Sequence, residues 1–319
     1  MTKLVTKTKG GRLMKTIAIS VTQWLSLFAA FLWLLQSVGT AATVPVDCSS
    51  GSLQAAVDKA RPGDTLMVSG TCNENVRIPE QFAKITLDGG KAATVNGPDP
   101  NRHAIEVRGR GITVKGFTVT GGRSGVAVGW GGSALIDGNT IQNTGAHGVT
   151  VHHGSSVAIV NNVIQRNASI GIEVTENSSA RIGIMGPPDR VASPNTIQNN
   201  GQEGIHVYRS STSFIVGNQV NDNRRAGIRV DRASHAEIAS NTIGNNAEDG
   251  VSVGKASNVD LGSDTGTGIL NLPNTTAVPN GGFGTRCAGG GSVNGRLGSL
   301  TGKKGLKGFD SSCVDGLIP

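Results

Sequence analysis

The chain has 319 residues, 29 basic and 22 acidic for a net charge of +7, with 47 glycines and only 3% aromatic residues. That composition argues against a packed α/β domain and for a repeat punctuated by turns. The basicity is concentrated at the start: without Lys3, Lys7, Lys9, Arg12 and Lys15 the balance is 24 against 22, or +2, too little for a phosphate-binding surface, so no nucleic-acid partner is expected.

Residues 1–42 read as a signal peptide. The five bases precede an uncharged stretch whose apolar heart runs from Trp24 to Leu35, followed by the small residues Gly39, Thr40, Ala41 and Ala42, with cleavage expected near Ala41 or Ala42. An apolar heart of 12 residues suits such a leader better than a span of about 20, although a retained anchor is the rival reading. The expectation is a secreted or periplasmic monomer with no stable membrane span after cleavage.

Residues 43–103 read as an N-terminal cap and first coils. Ser52 is a plausible N-cap for a short helix to Ala60, because Leu53, Ala56, Val57 and Ala60 repeat at helical spacing. Arg61-Pro62-Gly63-Asp64 stops it, and the helix is well placed to cover the open end of a solenoid. Thr65 to Ser69, Asn75 to Ile78 and Ile85 to Leu87 then read as short strands.

Residues 104–280 carry the repeats. The phrase Gly, Val or Ile, any residue, Val begins at Gly125 and returns at Gly148, Gly171, Gly204, Gly227 and Gly250, at intervals of 23, 23, 33, 23 and 23. A column of Asn139, Asn162, Asn195, Asn218 and Asn241, continued by Asn274, keeps the same intervals, and a second holds Asn167, Asn200, Asn223 and Asn246. Asn tolerates left-handed turns, and amides stacked about 4.8 Å apart can bond in a ladder, so a structural role is expected for both columns. The long step comes from an insertion at Gly183 to Pro194, and a second insertion runs from Gly262 to Pro273. Residues 281–319 read as irregular C-terminal coils. Four cysteines permit three connectivities, and two distant local pairs favour Cys48 with Cys72 and Cys287 with Cys313, one staple near each end.

Segments of three to five β-branched residues exclude a helical solenoid, and the period is half that of a propeller blade. What remains is an all-β parallel β-helix with one coil per 21 to 23 residues. From Asp47 to about Gly262, the Gly-Ile-x-Val and Asn-x-Ile phrases and the lead-in Leu53-Gln54-Ala55-Ala56-Val57 with Pro62-Gly63-Asp64-Thr65 resemble the right-handed parallel β-helix proteins of the pectate-lyase-like superfamily. The resemblance implies the fold and is nearly silent on chemistry, because that superfamily holds lyases, hydrolases, epimerases, copper-site assembly proteins and binding modules.

Within each phrase the middle residue points outward by strand alternation. One outward column is therefore Glu106, Ala127, Thr150, Glu173, His206, Arg229 and Ser252; another is Gly129, His152, Thr175, Tyr208, Asp231 and Gly254. Titratable groups gather mid-rod, where Arg229 can hold a uronate carboxylate, His206 or Tyr208 exchange protons, and Glu173 or Asp231 orient them. His152, Arg209 and Arg232 are the expected substrate contacts. The resemblance points the same way, since lyases and epimerases on this fold use Arg, Lys, His or Tyr on an outer sheet face. Glycoside hydrolysis fits less well: Glu173 and Asp231 are about 12 Å apart, beyond the usual carboxylate separation. The expected activity, if any, is a lyase or C5-epimerase on an acidic polysaccharide or cell-surface glycan; the alternatives are a non-catalytic binding module, for which polar cross-strand pairs suffice, and a periplasmic copper-handling protein. His147, His152 and His153 are the metal candidates, but His152 and His153 should point to opposite sides of a continuing strand. Calcium at Asp260 and Asp264 is as thin a signal, so no cofactor is expected.

Overall fold

The computed structural model describes residues 41–186, 191–262 and 272–318. The expected leader as far as residue 40, residues 187–190 of the first insertion, and residues 263–271 of the second, Asp264 included, lie outside the described residues.

The chain winds as a right-handed parallel β-helix with sheets of 12, 10 and 8 strands. Every key phrase forms a short strand of the ten-stranded sheet, such as Val126–Val128, Ile172–Val174 and Ile205–Val207. Each Asn phrase feeds the eight-stranded sheet, as at Thr140–Gln142 and Thr196–Gln198. The twelve-stranded sheet takes the segment between them, as at Ser156–Val160. Alternation sends Ile172 and Val174, like Ile205 and Val207, into a core where they are fully buried, each contributing roughly 1.5–3 kcal/mol. That apolar pairing fixes register, because a one-residue slip would turn every core side chain outward. Ile172 therefore faces Ile205 and Val163 faces Thr196 across the first insertion, whose extra residues leave the ladder undisturbed.

Buried polar ladders close the corners. Asn162, Asn195, Asn218 and Asn241 each donate from Nδ2 to the next amide oxygen at 2.9–3.0 Å. The Asn167 column does the same and runs on to Asn280. A third ladder, with no counterpart among the sequence expectations, links Ser155, Ser178, Ser211, Ser234 and Ser257 through backbone N–H to hydroxyl bonds. One expectation is corrected: the left-handed residue is the one before the ladder Asn, namely Gly138, Asn161, Gly217 and Ser240. That residue turns the chain so that the following amide aims into the corner.

A helix spans Leu53–Val57, shorter than the Ser52 to Ala60 stretch; the Ser52 hydroxyl accepts from the Ala55 N–H, and Leu53 and Val57 are buried. Both disulfides join as the spacing favours, Cys48 with Cys72 and Cys287 with Cys313. Beyond residue 281 the strands Thr285–Ala288 and Ser292–Arg296 stay in register with the preceding coil. Among the described residues no helix is long and apolar enough to cross a membrane.

Candidate functional site

The outer face of the ten-stranded sheet carries the titratable side chains, and register brings them together as the phrase alignment requires. Glu173 pairs with His206, and His206 with Arg229. The Tyr208 N–H donates to the Val174 carbonyl and the Asp231 N–H to the Val207 carbonyl, which sets Tyr208 and Asp231 in successive coils.

This face is covered, unlike an ordinary wet sheet surface. Glu173 is 8% exposed, Thr150 7% and Asp231 2%, which carboxylates accept only when paired. The Tyr208 hydroxyl lies over Glu173 and donates to its Oε1 at 2.6 Å. The His206 ring stacks on Tyr208 at 4.3 Å between centroids, 19° between planes. On its other side His206 Nε2 meets Asp231 Oδ1 at 3.3 Å. Burial and the bond to Glu173 push the Tyr208 phenol up to about 12, so it keeps its proton at neutral pH. Burial raises the Asp231 carboxyl, yet the His206 bond with the His206, Arg229 and Arg232 charges outweighs it and holds the group below the usual carboxylate range.

Arg229 is committed elsewhere than expected. Its guanidinium reaches Asp231 Oδ2 at 3.0 Å and Glu203 Oε1 at 3.3 Å. Glu203 is 2% exposed, so Arg229 compensates two buried carboxylates and has little left for a substrate anion. The cations facing outward are Arg209 and Arg232, about half exposed, whose guanidinium carbons lie 5.1 and 5.4 Å from the Tyr208 ring. Both occupy a left-handed corner directly after the outward column, aligned through the coils with Trp130, His153, Glu176 and Lys255, and all six have positive φ.

His147 and Glu203 escape the alternation argument because they sit just before the key glycine, where the strand has not begun. A periodic signal marks them all the same: Ser124, His147, Ile170, Glu203, Ala226 and Asp249 form a column at the coil interval. His147 Nε2 lies 3.6 Å from Glu173 Oε2.

Thr150, Glu173, Thr175 and Tyr208 form part of the lining of a cleft of about 430 Å³, with His103, Arg123 and His147 along one side and His152, His153, Glu176 and Arg209 along the other. That volume is within the range of small-ligand sites. A larger groove, about 600 Å³, crosses the twelve-stranded sheet, where Arg181 stacks on Phe214; its lining offers one titratable residue and therefore no acid-base pair. The placement of His152 and His153 corrects a sequence expectation. The strand ends at Val151, and His153 turns left-handed at φ 52°. Both imidazoles therefore fall on the same side, with their Nδ1 atoms facing each other.

The model of a family described as periplasmic copper-binding protein (NosD) matches residues 71–259. Among solved structures the chain is similar to the pectate lyase Pel9A, with 14% identity and a TM-score of 0.55 over 86% of this chain and 80% of that one. It is similar also to a mutant of the periplasmic alginate epimerase AlgG, with 13% identity and a TM-score of 0.51 over 87% of this chain and 73% of that one. At such identities the likeness is one of fold. No curated protein matches the sequence.

Proposed function

We propose that this chain, which belongs to the NosD family, is an exported polysaccharide lyase that cleaves a uronate-containing polymer by β-elimination on the outer face of its ten-stranded sheet. One observation carries the reading: a stacked His206 and Tyr208, each backed by a buried carboxylate, lie beneath two outward guanidinium groups. Arg209 and Arg232 neutralise the uronate carboxylate, which makes its neighbouring C5 proton more acidic. His206, oriented by Asp231, takes that proton; the C4–O4 bond breaks as the C4–C5 double bond forms, and Tyr208 gives its proton to the departing oxygen. The phenol pushed up to about 12 suits an acid rather than a base. Acid and base stand side by side, so removal and delivery occur on one face of the sugar, which fits a syn elimination; epimerisation requires groups on opposite faces. Two disulfides accord with an oxidising compartment.

The test is to incubate the exported chain with alginate, pectate and other uronate polymers while following the ultraviolet absorbance of the unsaturated product. His206→Ala and Tyr208→Phe are each expected to lower kcat by about 100-fold to 10,000-fold, with Arg232→Ala acting mainly on KM. Absence of unsaturated product from every polymer rejects the lyase, and a change of uronate stereochemistry without cleavage replaces it with an epimerase.

A further inference from the structure

Four of the six histidines line the cleft, His103 and His147 along one side and His152 and His153 along the other. Solubility does not explain the cluster, since a sheet face exposing imidazoles to water has no reason to turn them toward one another. His153 Nδ1 approaches Glu176 Oε2 at 3.1 Å as well as the Nδ1 of His152. One ligand atom from each of His152, His153 and Glu176 lies within 4.8 Å of the other two.

We propose that His152, His153 and Glu176 form a binding site for a divalent first-row transition-metal ion, with copper(II) the preferred occupant. Two imidazole nitrogens and one carboxylate oxygen make a donor set suited to copper, nickel or zinc, and the general affinity order places copper(II) highest. Two further observations fit the residues to an ion. First, beside the three ligands the His103 Nδ1 is buried with no hydrogen-bond partner among the described residues, and its ring lies 6.4 Å from that of His152. Second, the ligands are held from behind. Trp130 stacks on His153 at 4.2 Å and 14°, Arg108 covers Trp130 at 5.1 Å, and Arg209 engages Glu176 Oε1 at 3.3 Å, leaving Oε2 turned to the histidines. Such outer contacts fix ligand orientation. The left-handed corner makes the site: a strand continuing past Val151 would part the two imidazoles. The description of the matched family names copper and no residue; these three are the residues of this chain that fit it. The site shares none of its ligands with His206 and Tyr208, although Arg209 borders both, so copper binding read in the absence of any polymer tests it apart from the lyase reading.

The experiment titrates untagged, chelator-stripped exported chain with copper(II), and separately with zinc(II), by calorimetry, with bound metal counted by mass spectrometry after dialysis. About one copper per chain is expected, with nitrogen hyperfine structure in its electron paramagnetic resonance spectrum. His152→Ala and His153→Ala each weaken binding by at least about 10-fold to 100-fold, and Glu176→Gln by about 10-fold. His153 is exposed, so His153→Ala is expected to fold normally, with an unchanged melting temperature as the control. His235→Ala, at a histidine outside the cleft lining, retains full binding. The proposal is overturned by absence of stoichiometric copper, by a spectrum without nitrogen coupling, or by undiminished affinity in His152→Ala and His153→Ala.

Discussion

Two stacks of polar side chains run along this rod at the same coil interval, and they obey opposite rules. In the Asn139 to Asn274 corner every coil supplies the same amide with much the same partners: Nδ2 donates to the next amide oxygen, which also accepts from the residue's own backbone N–H, and to a carbonyl of the preceding turn. On the outer face of the ten-stranded sheet each coil supplies a different residue: Thr150, Glu173, His206, Arg229, Ser252. A requirement of every coil yields uniformity, whereas a requirement of one place yields variety that peaks there. The difference separates architecture from chemistry without reference to any relative, and it can be broken by substitution.

The largest expected effect is in the uniform stack. Asn218→Ala removes the acceptor for both the N–H and the Nδ2 of Asn195, and the donors to Ile182 and to Asn241. A buried group left unpaired costs about 1–3 kcal/mol, so a loss of about 4 kcal/mol is expected after partial relaxation. Urea unfolding at constant slope measures it, and a loss below about 1 kcal/mol would show that the ladder is decorative. Next comes Arg229→Gln on the variable stack. It leaves Asp231 and Glu203, each 2% exposed, without their shared cation. Arg225 at 3.7 Å from Glu203 and Arg232 at 3.9 Å from Asp231 remain, so about 2 kcal/mol is expected rather than the 3–5 kcal/mol of a fully broken buried pair. An unchanged stability would return Arg229 to the role of a free, substrate-holding cation.

The uniform stack was legible because its physics is local and repeated: the Asn column, its interval and the register across the first insertion all follow from spacing. The variable stack was legible in part. Strand alternation assigns Glu173, His206 and Tyr208 to one face, but it has no authority before the key glycine, where His147 and Glu203 sit. Nor does it extend past the strand end, where His153, Glu176 and Arg209 take left-handed backbone. Nothing in a Glu or Arg announces positive φ, and a His does so only weakly; the corner conformation is imposed by the coil. For that reason the sequence placed His152 and His153 on opposite sides and gave the uronate carboxylate to Arg229, with Arg209 and Arg232 only as further substrate contacts.

The smallest effect is the sharpest test of what variety means. Ser252 stands in the same outward column as Arg229, directly across from it in the next coil, and is partly exposed. If a column position itself carried weight, Ser252→Ala would cost what a ladder residue costs. If only the engaged members matter, it should fall within about 0.5 kcal/mol, as surface substitutions do. The same unfolding measurement decides, and a loss near that of Asn218→Ala would make the outer column a second structural ladder. A near-zero result beside a large Arg229→Gln loss would confine the column's energetic weight to the coils where Glu173, His206 and Arg229 meet.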